Sequence, residues 1–136
     1  MNFSNSAIRT LLGCWLIQLI AGISLSLGNI IVYIVSYFRV SRHCNVTEDT
    51  FFPIQTLTLF FTVVSFPVGF WLVDHFGGKS RPVIVVGSII SLSMLVSIKY
   101  ISYSPEVFIL VYSLGNGIMK GFIQSSSLAA GWSHLP

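Results

Sequence analysis

Charge is what this chain has least of. Only 8% of its 136 residues are charged, seven Lys or Arg against four acids, while 54% are hydrophobic. Roughly a quarter of a soluble domain is charged, and no soluble core is large enough to hide this much apolar surface. The seven cations, Arg9, Arg39, Arg42, Lys79, Arg81, Lys99 and Lys120, are scattered instead of gathered into a patch, so nucleic acid is not an expected partner. Cysteine is equally scarce. Cys14 and Cys44 lack metal-type spacing, and a helix between them would hold them roughly 45 Å apart at about 1.5 Å per residue, too far for a mutual disulfide. There is no Ser/His/Asp set, no Gly-rich phosphate loop and no metal-ligand cluster. His43, His75 and His134 fall in loops or at the ends of apolar runs, so neither catalysis nor a cofactor or metal is expected. Low-complexity segments and internal repeats are missing too. The chain stops at Trp132-Ser-His134-Leu-Pro136 without a polar tail, which reads as a truncated polypeptide.

What is present is apolar sequence in runs of membrane-spanning length. They predict an all-α transmembrane fold with four helices at about 11–38, 51–73, 82–101 and 107–131, forming one unit over residues 1–136. Arg9 followed by a hydrophobic run has the order of a signal peptide. The run from Leu11 to Phe38 is, however, about twice a typical h-region of roughly 7–15 residues, so it reads as a retained helix. The lipid bilayer is thus the first partner.

Polar residues recur with helical spacing in three of the four runs. Gln18, Gly22, Ser26, Asn29, Tyr33 and Tyr37 share one face of the first. Gln55, Thr58, Thr62, Ser65 and Gly69 share a weakly polar face of the second, which opens with Pro53 and carries Pro67, where a kink is expected. In the fourth, which begins at Pro105 and Glu106, the shared face holds Ser113, Asn116, Lys120, Gln124 and Ser127. The third run has no such stripe, only the small pair Gly87 and Ser91, suited to close helix contact. Gly117 and Gly121 form a second small-residue pair beside the polar face of the fourth. Three striped helices around a wet cavity with one outside fit this pattern. It makes Gln18, Asn29, Tyr33, Asn116, Lys120 and Gln124 the candidate cavity residues. For Asn29 and Tyr33 the alternative is that they only bond neighbouring helices together.

Lys120 stands out because a lysine at mid-membrane costs roughly 2.5–3.5 kcal/mol on insertion scales. It must face water or a carboxylate, or else snorkel to the nearer surface. The aligned Asn116 and Gln124 favour a cavity. Asn45-Val-Thr47 matches an N-glycosylation acceptor, although the loop around it is short and chance is the simpler reading.

Between the second and third runs lies a polar turn, Asp74-His75-Phe-Gly77-Gly78-Lys79-Ser-Arg81. Its glycines supply backbone angles that other residues resist. Here the chain resembles the N-terminal end of a major facilitator superfamily transporter. That family's loop between helices two and three reads glycine, three residues, aspartate, a basic residue, any residue, glycine, arginine and a basic residue. Asp74, Gly77 and Lys79 match it. Gly69 is displaced by one position, leaving Phe70 at the glycine place, and His75 and Gly78 replace a basic residue and the arginine. Gly28-Asn29-Ile-Ile-Val-Tyr33 and Gly115-Asn-Gly117 with Gly121 look like the first and fourth helices of oxalate/formate-antiporter-like and monocarboxylate-transporter-like members. The resemblance covers the whole chain but only four of twelve usual helices. It implies alternating access between two bundles, with the remaining helices absent here. It also implies a cytoplasmic N-terminus and a cytoplasmic gating loop of Asp74, Gly77, Lys79 and Arg81, and a small organic anion as solute. A stand-alone four-helix scaffold or assembly subunit, docking partners through Gly117 and Gly121, is the alternative.

Overall fold

The computed structural model describes residues 5–23, 27–43, 45–101 and 104–132. Five α-helices follow one another: α1 (Asn5–Ile23), α2 (Leu27–Arg42), α3 (Pro53–His75), α4 (Ser80–Ile101) and α5 (Pro105–Trp132). A 3-10 turn over Glu48–Phe51 leads into α3, and no strand occurs among the described residues. Three segments, Glu48–His75, Ser80–Ile98 and Pro105–Trp132, are long and apolar enough to cross a membrane. They mark an integral membrane protein, since an apolar helix of about 20 residues matches a hydrocarbon core of about 30 Å.

The first expected span differs. One helix over residues 11–38 is expected from the run of apolar residues, whereas two helices are present, with shorter apolar stretches Ile8–Leu19 and Ile31–Ser41. Residues 24–26, including the stripe residue Ser26, lie outside the described part.

The other three helices lie within two residues of the expected bounds, α3 shifted two residues later and α4 and α5 each beginning two residues earlier. Ser104 precedes Pro105 and its Oγ accepts the Val107 N–H at 3.3 Å, satisfying one free donor of the first turn of α5. Pro105 and Glu106 then sit where a helix start favours proline and an acid. At the other extreme α3 runs through Pro67 and closes at His75. Gly77 N–H bonds Asp74 O at 3.0 Å and Gly78 N–H bonds Val73 O at 2.9 Å, the paired bonds of a Schellman cap. Gly77 holds φ +64°, a left-handed conformation that costs a residue with a Cβ about 1–2 kcal/mol.

α5 is the helix on which the others rest: α3 and α4 both lie along it, α1 touches it, and α3 and α4 meet each other only slightly. α3 runs parallel to α5, so Thr58 lies at Gly117, Ser65 at Gly121 and Gly69 at Ser125. α4 runs antiparallel, with Gly87 against Phe122 and Met94 against Gly115. The bundle therefore has a near end, where α3 and α5 finish and α4 begins, and a far end, where α3 and α5 begin. The far end is sealed by Val35, Phe38, Val46, Phe51, Ile54 and Ile109. The Phe38 ring meets Phe51 at 5.7 Å and Phe108 at 5.6 Å between centroids, within the favourable range for aromatic pairs. Arg39 Nε donates to Val46 O at 2.7 Å and fixes the descending loop over this cluster.

Candidate functional site

Most of the polar stripe on α3 is a helix seam. Thr58 and Ser65 are buried against α5, and the hydroxyls of Thr58 and Thr62 donate to Ile54 O and Thr58 O, each at 2.7 Å. Hydroxyls bonded back to their own helix need no water, so this face can be dry. Gln55 alone of that stripe carries a large polar group, and it is exposed.

On α5 the stripe divides. Ser113 is fully buried, and its Oγ donates to Ile54 O across the seam at 3.1 Å. Asn116 is buried with Nδ2 donating to Tyr112 O at 3.0 Å. Lys120 is half-buried, and Gln124 is exposed. Successive members of this set lie one helical turn apart, roughly 6 Å between Cβ atoms, so Asn116, Lys120 and Gln124 form one strip running from the bundle interior towards the near end. Lys120 lies close to the midpoint of α5. The four acids of the chain, Glu48, Asp49, Asp74 and Glu106, all stand at helix ends, distant from it.

Gln18 on α1 and Tyr33 on α2 are both exposed, Tyr33 by 77%, and no hydrogen bond joins either to Lys120. The backbone of Asn29 belongs to the first turn of α2, while its side chain lies outside the described part. Glycines 117 and 121 face α3, where a Cβ on Gly117 would lie 3.0 Å from Thr58 O and one on Gly121 2.9 Å from Thr62 O. Gly87 meets the Phe122 ring, and Ser91 is buried.

At the near end Asp74, Lys79 and Arg81 are all exposed. Phe70 stacks on Trp132 at 6.2 Å, tying the end of α3 to the end of α5. His75 stacks on Trp71 at 5.6 Å. These rings give the near end the aromatic collar of a membrane interface. Asn45 is exposed in the far loop beside buried Val46.

Three features escape a reading of the sequence. Ser104 is signalled by the Ser-Pro-Glu order at a helix start but is easily passed over. The contact of Cys14 Sγ with Ser127 O at 3.7 Å spans most of the chain and has no local signal. The hydroxyls of Ser126 and Ser127 are buried without a partner among the described residues. Among the described residues no three His, Cys, Asp or Glu side chains gather as metal ligands. Comparisons with family models, curated proteins and solved structures find nothing that matches this chain.

Proposed function

We propose that the chain is one part of a transporter bundle of the major facilitator type, which moves a small organic anion by alternating access. The observation that carries this reading is Lys120: a cation near the midpoint of a membrane-spanning helix, half-buried, with all four acids of the chain at helix ends. An unpaired cation at that depth is costly, and in this reading an anionic solute supplies its countercharge. Asn116 and Gln124 on the same strip supply hydrogen-bonding groups of the kind that orient a carboxylate.

A fourth crossing, by residues 11–38, belongs to the proposal. It is supported by two contacts: Cys14 touches Ser127 near one end of α5, and Phe38 packs on Phe108 near the other. Nineteen residues of α5 separate those contacts, about 28 Å of helix, which matches the hydrocarbon thickness. With four crossings the N-terminus and the Asp74 loop share a side, the cytoplasmic one by resemblance. The Asp74 carboxylate then gates the switch by approaching the positive end of a helix in the opposing bundle. The scaffold alternative is weakened because Gly117 and Gly121, its docking pair, are already filled by α3.

The test is binding of labelled lactate or oxalate to the chain in nanodiscs. Lys120→Ala should weaken binding at least about tenfold, or 1.4 kcal/mol, with Lys120→Arg retaining most of it. Undiminished binding by Lys120→Ala would end the organic-anion reading.

A further inference from the structure

We draw no further inference here: the strongest candidate, the exposed apolar stripe of Phe60, Val64, Val68 and Trp71 on the outer face of α3, carries none because nothing in the structure shows what covers it.

Discussion

Gly121 of α5 lies so close to Ser65 of α3 that a Cβ built on the glycine would stand 2.6 Å from the Ser65 Cβ. Gly117 one turn earlier is as tightly held, against Phe61 and the backbone of Thr58 and Thr62. Two glycines thus set how near the axes of α3 and α5 approach, the usual role of small residues where membrane helices meet. Gly121→Ala should therefore destabilise the folded protein by about 1–3 kcal/mol, the range for overfilled contacts. Gly13→Ala, on a helix face with nothing within 4 Å, should be neutral or slightly stabilising. Thermal unfolding in detergent compares the two; equal midpoints would show that the seam does not depend on close approach.

Lys120 should trade stability against binding. Replacing it with leucine removes a cation near the midpoint of α5 and should improve insertion of that helix by roughly 2 kcal/mol or more on insertion scales. The same change should abolish the anion binding proposed above. A Lys120→Leu chain that inserts no better than wild type would mean that the side chain already reaches an interface, as a snorkelling lysine does.

Asp74→Asn should leave the fold intact and raise the unfolding midpoint slightly, by no more than about 2 °C, because a carboxylate is removed from the negative pole of α3. In a transporter that contains this segment, the same change should slow uptake without lowering the amount of protein. Wild-type uptake rates would remove the gating role, whatever the midpoint does.

Gly77→Ala should cost about 1 kcal/mol, since the left-handed backbone at φ +64° is retained by the two cap bonds that end α3. Gly77→Asn should cost less, as asparagine tolerates that region better than alanine. Equal losses for both variants would indicate that the turn rearranges instead of holding its cap.

Much of the α3–α5 arrangement is legible in the sequence because small and polar residues recur with a helical period, and that period defines a face. What the face meets is harder to read. Thr58, Thr62 and Ser65 look the same in sequence whether they border water or another helix. Here two of the hydroxyls bond back to their own helix, and the face is closed by Gly117 and Gly121. Lys120 and Gln124 differ because they cannot be satisfied by their own backbone, and they are the members of the α5 stripe least enclosed. Phe70 stacks on Trp132, a contact that no local rule reveals. Helices α4 and α5 each begin two residues before the apolar run, because hydropathy starts at the first apolar residue, while caps such as Ser104 belong to the polar sequence before it.

The dependence of α3 and α4 on α5 has a consequence for biosynthesis. The two earlier helices touch each other only slightly, and the surface that both require leaves the ribosome after them. Until α5 arrives, the serines and threonines of α3 have nothing to lie against but lipid or the insertion machinery. Their hydroxyls can endure that wait because Thr58 and Thr62 close onto carbonyls of their own helix. Assembly is therefore a late event triggered by one helix, and a ribosome that pauses before α5 leaves two inserted but unassociated segments exposed to membrane quality control.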